Sequence, residues 1–550
     1  MTLSRNLALV VLVTITLALT ACGGGQRTAV NPTPTAPRSA AVAEPTTTAP
    51  PESTAPEAAP TDGPIATVAP PALATEAVEP TGLATESPAE QPTQAATEEP
   101  APASTEVPTE VPTAAVAPEP TAQPTEAATE APTAQPTQVP TEAPTQQPTK
   151  AATPPPSGEV GEYSGSVVND AGRPVASALV YGGDTMVRAA ADGKFSFEAE
   201  QADELTVMAP GYKKYVAPLN GADVGTVRLE PFVAKGVYVS GVGDLDVRQR
   251  FYELLDDTEL NAIVINVKTD EGMVWTSQVP LAQEIGASYE DFYLKDFVAE
   301  AHKRGVYVIG RFTTFRDGTL PVERPDLAIK STEGGIWSDN QGHTWSDPGN
   351  RKVWEYLGAL GEEIAASGID EIQFDYVRFP VDGDLDSVVY QTPSTRVNRP
   401  VTIESFLAYM EQRLRPQKVF ISADTYGLTV WSSKEEGTGQ LLVPMAKHLD
   451  YFSPMIYPDH FAAGTAGFNI PTQHPYEIIY QSVERAKTKL QGMPVLVRPF
   501  LSAFRDTQFG EPFGLEQFLA QKKAAEDAGS HGWLFWNAGL SYPDALFRQE

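Results

Sequence analysis

The chain contains little cysteine, histidine or positive charge. Its 550 residues include one cysteine, six histidines, and 39 lysine and arginine residues against 71 acidic ones, so the net charge is −32. One cysteine excludes an intramolecular disulfide, and the folded parts must therefore be stabilised by core burial. The acidic excess argues against nucleic acid or an anionic membrane surface as a partner.

After the first 22 residues the chain has no apolar run of membrane-spanning length. Those 22 residues place Arg5 before a short apolar run, which is typical of a secretory signal peptide. Residues 19–22, LTAC, resemble the lipobox of bacterial lipoproteins, which implies cleavage before Cys22 and lipid attachment to its thiol. The alternative for Cys22 is an unpaired free thiol. We expect an extracytoplasmic protein held at the membrane by this lipid anchor alone.

Residues 23–157 lack aromatic side chains and contain 29 of the 50 prolines. They repeat Thr, Pro, Ala and Glu irregularly, with 16 acidic and 3 basic residues. Such a composition cannot bury enough apolar surface to offset the entropy of ordering. We expect a disordered linker with an end-to-end distance of roughly 60 Å, from flexible-chain scaling.

Residues 158–231 alternate short β-prone runs with turn signals, which predicts a small all-β sandwich. The segment resembles the carboxypeptidase regulatory-like domain through Gly172 and Pro174, through Asp192-Gly193 before a β-prone run, and through APGY at residues 209–212. This resemblance implies a spacer or adhesive module. We expect a rigid stalk without a ligand.

From residue 232 each β-prone run is followed by a helical one, which indicates βα units around a parallel sheet. Eight such runs begin at Lys235, Asn261, Gly305, Asp370, Lys418, Asp450, Pro494 and Gly532. This number of repeats over residues 232–550 predicts an α/β fold of the (β/α)8 TIM-barrel type. Catalytic groups in this fold lie at the carboxyl ends of the strands.

The fourth run, EIQFDYVRFP at residues 371–380, ends in a cluster of charged and aromatic residues. Period-2 alternation places Glu371, Gln373 and Asp375 on the inner side of strand 4, with Asp375 last. In the fifth run Asp424 closes its strand in the same way. Two carboxylates from adjacent strands are therefore expected to point into one cavity.

Paired carboxyl groups suit glycoside hydrolysis, in which one donates a proton to the leaving oxygen and the other attacks or stabilises the sugar cation. We predict Asp375 as nucleophile and Asp424 as acid/base, with Asp270 as the reserve acid. Adjacent strands lie about 4.8 Å apart, a spacing that favours a retaining mechanism. The alternatives are a structural ion pair between Asp375 and Arg378 and a structural hydrogen-bonding role for Asp424.

Further substrate-binding candidates are charged or aromatic residues at or after strand ends. They are Asp270, Arg311, Arg378, Tyr376, Trp345, Tyr457, Arg498 and Trp536. We expect Arg311 to keep Asp375 ionised and the aromatic faces to pack on sugar rings. Salt bridges for the arginines and core packing for the tryptophans are the alternatives. The histidines show no metal-ligand spacing, and we predict neither a metal nor a cofactor.

Residues 232–550 resemble a bacterial glycosyl hydrolase domain of extracytoplasmic proteins, a TIM-barrel group distantly similar to α-amylase-type hydrolases. The resemblance rests on GVY at 236–238, NVKTDEG at 266–272, WSDPGN at 345–350, EIQFDYVRFP, ISADTYG at 421–427 and SPMIYPDH at 453–460. It implies a fold and a reaction class but no particular substrate.

The sequence departs from better-known relatives at two positions of the expected site. Gln373 stands where amylase-like enzymes have Arg, and Asp424 stands where they have Glu, so the acid/base assignment falls on a shorter side chain. The Asp, Asp, Glu series of chitinase-like enzymes is also missing its Glu after Asp375, which disfavours substrate-assisted catalysis.

Together these features predict a monomeric glycoside hydrolase that acts on an extracellular or cell-wall polysaccharide. The alternative from another class is a catalytically inactive, carbohydrate-binding barrel. Polysaccharide deacetylation would require a metal-binding Asp and His set that the sequence does not contain.

Overall fold

The computed structural model describes residues 160–200, 202–290 and 292–548. The predicted signal peptide, its Cys22 and the predicted linker lie outside these residues. Among the residues described, no helix has the length and apolar character needed to cross a membrane.

Residues 160–228 form two small sheets. Their strands are β1 (Val160–Val168), β2 (Leu179–Gly182), β3 (Thr185–Arg188), β4 (Lys194–Glu200), β5 (Glu204–Met208), β6 (Tyr215–Pro218) and β7 (Asp223–Arg228). The sheet orders are β4-β1-β7 and β3-β2-β5-β6. Strand β4 shows the alternation expected of a half-buried strand, because Phe195, Phe197 and Ala199 are buried between exposed neighbours.

Residues 235–548 alternate strands with helices. The strands are β8 (Lys235–Val239), β9 (Ala262–Lys268), β10 (Val274–Trp275), β11 (Ser288–Tyr289), β12 (Tyr307–Thr313), β13 (Lys330–Ser331), β14 (Glu371–Asp375), β15 (Val388–Val389), β16 (Phe420–Tyr426), β17 (Tyr451–Met455), β18 (Leu496–Val497), β19 (Phe500–Ser502) and β20 (Trp533–Trp536). The helices are α1 (Leu245–Asp256), α2 (Pro280–Glu284), α3 (Leu294–Lys303), α4 (Leu320–Glu323), α5 (Arg351–Ala365), α6 (Asn398–Leu414), α7 (Leu442–Ala446), α8 (Pro475–Lys489) and α9 (Leu515–Asp527).

The parallel strands close into a barrel in the order β8-β9-β12-β14-β16-β17-β19-β20, and β20 pairs back with β8. This arrangement confirms the predicted (β/α)8 TIM barrel, and each of the eight predicted runs overlaps its strand. Two details differ from the prediction. Strand β16 continues to Tyr426, so Asp424 does not close it. The seventh strand is split into β18 and β19 around Pro499, which has no backbone N–H to donate to a ladder.

The helices cover the outer surface of the barrel with an apolar layer. In α3 one face is buried, including Phe297, Val298 and Ala301. Helix α5 begins where the side chain of Asn350 accepts a hydrogen bond from the Lys352 backbone N–H. The outward residues of β14, Ile372 and Phe374, belong to this apolar layer, as the period-2 alternation predicts.

The inside of the barrel contains a buried pair of opposite charges. Glu371, at the start of β14, is fully buried and accepts hydrogen bonds from Arg498 and from the Ser422 hydroxyl. Its other oxygen accepts a hydrogen bond of 3.0 Å from the Tyr307 hydroxyl. Arg498 is fully buried as well, with its guanidinium carbon 4.3 Å from the ring centre of Tyr451. The two buried charges therefore compensate each other in the interior of the barrel.

The sheet β3-β2-β5-β6 packs against the amino-terminal ends of the barrel strands. Tyr181 and Met208 join Phe420 and Tyr451, the first residues of β16 and β17, in one buried apolar cluster. The Tyr451 hydroxyl also accepts a hydrogen bond of 3.0 Å from the backbone N–H of Gly211. This face is opposite the strand ends that carry the predicted catalytic residues.

Replacing Arg498 with leucine should destabilise the barrel strongly, because Glu371 would be left as an uncompensated buried charge. We expect a loss of about 3–5 kcal/mol in the free energy of unfolding, measured by chemical denaturation. The control is Lys523→Ala, which removes one partner of an exposed ion pair with Asp527 and should leave the midpoint unchanged. Equal stability of Arg498→Leu and the parent would contradict the role given to this pair.

Candidate active site

A cavity of about 570 Å³ opens at the carboxyl-terminal rim of the barrel. Its lining combines residues from strand ends and from the loops after β14, β16 and β17. These residues include Arg311, Asp375, Tyr376, Arg378, Val381, Asp424, Tyr426, Glu436, Met455, Tyr457, His460, Phe461, Phe500 and Trp536. The predicted pair Asp375 and Asp424 thus lies in one cavity, on the adjacent strands β14 and β16.

Asp375 is held by hydrogen bonds on both of its carboxylate oxygens. Oδ2 accepts from Arg311 Nε at 2.8 Å and lies 2.6 Å from Arg311 Nη2, while Oδ1 accepts from the Tyr376 backbone N–H at 2.6 Å. The ion-pair partner of Asp375 is therefore Arg311, as predicted, and not Arg378. Tyr376 has φ +49°, a strained conformation for a residue with a side chain, and it turns the chain sharply away from the strand.

Arg311 is itself held in place from two directions. Its Nη1 donates to Asn266 Oδ1 at 3.0 Å, and Asn266 Nδ2 donates to the Tyr238 hydroxyl at 2.9 Å. The Tyr238 ring stacks on Trp536 at 3.9 Å between centroids, and the guanidinium carbon of Arg311 lies 5.1 Å from the Trp536 ring centre. Asn266 and Tyr238 were not predicted, although both lie in motifs that carry the resemblance.

Asp424 has a different environment from Asp375. It is 2% exposed, and its Oδ1 has no hydrogen-bond partner among the described residues. Burial raises the pKa of Asp424 well above its usual range, and the negative charge of Asp375 adds to this shift. The pKa of the Tyr457 hydroxyl is raised well above its usual range too, by burial and then by Asp424. The two carboxyl groups are thus differentiated, because Asp375 is paired to a cation and burial raises the pKa of Asp424.

Arg378 lies among aromatic rings. Its guanidinium carbon is 4.8 Å from the ring centre of Trp345, 5.2 Å from that of Tyr376 and 4.9 Å from that of Tyr426. Its Nη1 donates to the Phe379 carbonyl at 3.0 Å. Stacked in this way, the guanidinium keeps a fixed orientation at the wall of the cavity.

Three predicted substrate-binding residues lie outside the lining of this cavity. Trp345 is fully buried, with its Nε1 donating to Asp339 Oδ2 at 3.2 Å, and it supports Arg378 from behind. Arg498 lies deeper in the barrel because it pairs with Glu371. Asp270 forms an ion pair of 3.1 Å with Arg316, which donates to the Tyr376 hydroxyl at 2.5 Å.

Several cavity residues were not predicted. Tyr426 continues the inward alternation of Ser422 and Asp424, so the period of β16 contained a usable signal. Glu436 lies ten residues beyond, in the loop after β16, and no local pattern in the sequence distinguishes it from other exposed acidic residues.

A (β/α)8 barrel with two differentiated carboxyl groups and aromatic walls at its carboxyl-terminal rim has the architecture of a sugar-processing enzyme. The family model described as "Putative glycosyl hydrolase domain" matches residues 236–542, more than half of the chain. The chain belongs to this family, which places it among the glycosidases at the general level. No curated protein matches the chain.

Solved structures also resemble the chain. A hypothetical protein from Ruminiclostridium thermocellum is 37% identical over 34% of this chain and 96% of its own, with a TM-score of 0.32. The PgaB (BpsB) glycoside hydrolase domain from Bordetella bronchiseptica is 15% identical over 58% of this chain and 100% of its own, with a TM-score of 0.42. The α-galactosidase TtGalA from Thermus thermophilus is 12% identical over 66% of this chain and 72% of its own, with a TM-score of 0.35.

Asp424→Asn should change how the stability of the protein depends on pH. The folded protein keeps a proton on Asp424 above pH 3.8, the ordinary pKa, where the unfolded chain loses it. The parent therefore loses stability as the pH rises from there towards the raised pKa. We expect Asp424→Asn to be more stable than the parent at pH 8, with a difference that shrinks towards pH 4.

Chemical denaturation at several pH values measures this difference. The control is Asp386→Asn, since Asp386 is exposed and lies outside the cavity lining, and its curve should run parallel to that of the parent. A constant difference between Asp424→Asn and the parent from pH 4 to pH 8 would contradict the assigned protonation of Asp424.

Proposed function

We propose that the barrel hydrolyses glycosidic bonds of an extracellular or cell-wall polysaccharide, with Asp375 as nucleophile and Asp424 as acid/base. The single observation behind this proposal is the placement of both carboxyl groups on adjacent strands in one cavity, with opposite electrostatic environments. Glycoside hydrolysis requires this difference, because one group must carry a negative charge while the other carries a proton.

Asp375 has the surroundings of the charged partner. The Arg311 guanidinium, 2.6 Å from Oδ2, compensates the charge of the carboxylate. The backbone N–H of Tyr376 orients Oδ1. A carboxylate fixed by two neighbouring groups is pre-organised to attack an anomeric carbon or to stabilise the cation that develops there.

Asp424 has the surroundings of the protonated partner. Burial raises its pKa well above the usual range, which favours the protonated form of this carboxyl group. As the glycosidic bond breaks, this proton passes to the leaving oxygen; the ionised Asp424 then activates the water that releases the sugar from Asp375. The spacing of about 4.8 Å between adjacent strands favours this retaining sequence.

The cavity walls suit a sugar ring. Tyr426, Tyr457 and Trp536 provide aromatic surface for the C–H faces of the ring, and Arg378 provides N–H donors for hydroxyl groups. We also propose that the protein acts outside the cytoplasm, attached through a lipid on Cys22, where such a polymer is accessible.

The second candidate function is a carbohydrate-binding barrel without turnover. One observation favours it, since both oxygens of Asp375 already accept hydrogen bonds and the residue is only 6% exposed. If these bonds persist when a glycan is bound, Asp375 will hold the sugar without attacking it.

Asp375→Asn should abolish cleavage while keeping glycan binding. We expect kcat to fall by roughly 10³-fold or more, because the nucleophile is lost, while the Kd for an oligosaccharide changes little. Reducing-end release measures cleavage, and pull-down on purified polysaccharides measures binding. Failure of the parent to cleave any glycan that it binds would support the binding barrel instead.

Asp424→Asn should affect cleavage differently from Asp375→Asn. This difference separates the role of acid/base from that of nucleophile. On natural glycosides we expect kcat to fall by about 10²–10⁴-fold, because the leaving oxygen receives no proton. On p-nitrophenyl glycosides, whose leaving group needs no proton, the first chemical step should be nearly unchanged. Asp386→Asn is the matched control for both variants and should keep parental rates. An equal loss on both substrate types would contradict the acid/base assignment.

The stereochemistry of the first product tests the retaining mechanism. We expect the anomeric configuration of the substrate in the sugar first released, followed by NMR during the early phase of hydrolysis. Inversion of that configuration would assign Asp375 as a general base instead of a nucleophile.

A further inference from the structure

A second cavity, of about 540 Å³, lies beside the candidate active site. Val381 and Glu436 line both cavities, so the two cavities are neighbours with these side chains between them. Each volume falls within the range of about 300–1,000 Å³ that is typical of small-molecule sites. Together the two cavities offer room for a ligand longer than either one accepts.

The wall of the second cavity is tied to the strand that carries Asp375. Tyr390, one of its lining residues, packs edge-on against Phe379 with 5.3 Å between ring centroids. The Phe379 backbone N–H donates to the Thr438 carbonyl at 2.8 Å, which joins the loops after β14 and β16. The same contacts between these loops therefore support the walls of both cavities.

Arg399 lines the second cavity, and Glu435 balances its positive charge. Its Nε and Nη2 donate to the two oxygens of Glu435 at 3.0 and 2.5 Å, and Glu435 also accepts from the Gly439 backbone N–H at 2.8 Å. Arg399 Nη1 lies 3.4 Å from the Ser394 hydroxyl. A guanidinium held at three points keeps its orientation without a ligand, so binding a hydroxyl there costs little ordering entropy.

Glu436 occupies the junction of the two cavities in a strained conformation. Its φ is +47°, a region that few residues other than glycine adopt. Its Oε1 accepts a hydrogen bond of 2.7 Å from the Ser432 hydroxyl, and the residue is exposed. Strained conformations of this kind cluster at functional sites. An exposed carboxylate between two cavities is suited to accept hydrogen bonds from sugar hydroxyls.

The charge around the second cavity selects against acidic ligands. Arg399 is neutralised by Glu435, which leaves Glu436 as the unbalanced charge of the lining. The exposed residue Asp382 lies in the same loop as Leu385, another lining residue. An anionic glycan would meet like charges here, whereas an uncharged one would find an aromatic ring and hydrogen-bonding groups.

We propose that the second cavity is a carbohydrate subsite for an uncharged polysaccharide, and that one glycan chain occupies both cavities across Glu436. The scissile bond then lies at Asp375 with sugar residues on both sides, so the barrel cleaves within chains. This inference rests on the proposed function for the reaction at Asp375, while the binding of the chain in the second cavity does not depend on turnover.

The experiment measures binding and cleavage separately, with the protein as a full chain. The probes are malto-, cello-, xylo-, manno- and chito-oligosaccharides of two to eight units, with oligogalacturonate as the acidic comparison. Calorimetry on the Asp375→Asn variant gives Kd without cleavage, and product analysis with the parent gives the cleavage position. Two substitutions in the second cavity are then added to each protein: Tyr390→Ala removes the ring, and Ser394→Trp fills the space.

We expect affinity to rise with chain length in at least one uncharged series. Tyr390→Ala should weaken binding of the longest members about tenfold, the effect of losing one aromatic contact, with no change for disaccharides. Ser394→Trp should do the same, while Tyr390→Phe should bind like the parent and so exclude unfolding as the cause. Affinity independent of chain length, equal losses for short and long chains, preference for oligogalacturonate, or no binding of any uncharged series would each overturn the subsite.

The results also separate this inference from the proposed function. Length-dependent binding sensitive to Tyr390, without cleavage by the parent, would support the subsite and reject the hydrolase. Cleavage of aryl glycosides with no effect of Tyr390→Ala or Ser394→Trp on oligosaccharides would support the hydrolase and reject the subsite.

Discussion

The ion pair between Arg311 and Asp375 is the interaction on which the rest of the site depends. Both residues are buried, and removing either charge from water costs several kcal/mol unless a partner compensates it. The Arg311 side chain meets this requirement, with its Nη2 2.6 Å from Asp375 Oδ2. Asn266 and the stacked rings of Tyr238 and Trp536 then fix the position of the guanidinium. A carboxylate held in this way carries its charge at a defined point of the cavity.

The same constraint explains the polar interior of the barrel. Glu371 lies two inward positions below Asp375, and Arg498 compensates it. Lys268 and Asp317 form a third buried pair, with 2.7 Å between Nζ and Oδ2. Among the described residues no cation forms an ion pair with Asp424, and burial raises its pKa. The chemical difference between the two carboxyl groups follows from this unequal distribution of partners.

One of the small sheets contacts the barrel at the end opposite the candidate active site. Tyr451 and Phe420 contact the sheet β3-β2-β5-β6 at the amino-terminal ends of the strands, and the cavity lies at the opposite rim. The rim loops after β14 and β16 then join through Phe379 and Thr438. Because these two loops also line the second cavity, the scaffold that orients Asp375 determines where a longer glycan chain can lie.

Local patterns in the sequence were sufficient for the barrel, for the inward alternation of Glu371, Gln373 and Asp375, and for the pairing of Asp375 with Asp424 in one cavity. Period-2 alternation depends only on neighbouring residues in the chain, and the strand order follows from the closure of a parallel sheet. The same patterns misplaced Arg498 and Trp345. A position at a strand end does not indicate how deeply a long side chain is buried or which residue it contacts.

The sequence also did not predict which residues are brought together by loops far apart in the chain. Glu436 reaches the cavity because the loop after β16 is joined to the chain after β14, where the Phe379 backbone N–H donates to the Thr438 carbonyl. The sequence by itself determined the strands and the residues at their ends, because alternation is a local property. The tertiary structure decided which charges are compensated and which side chains meet, because both depend on contacts between segments far apart in the chain.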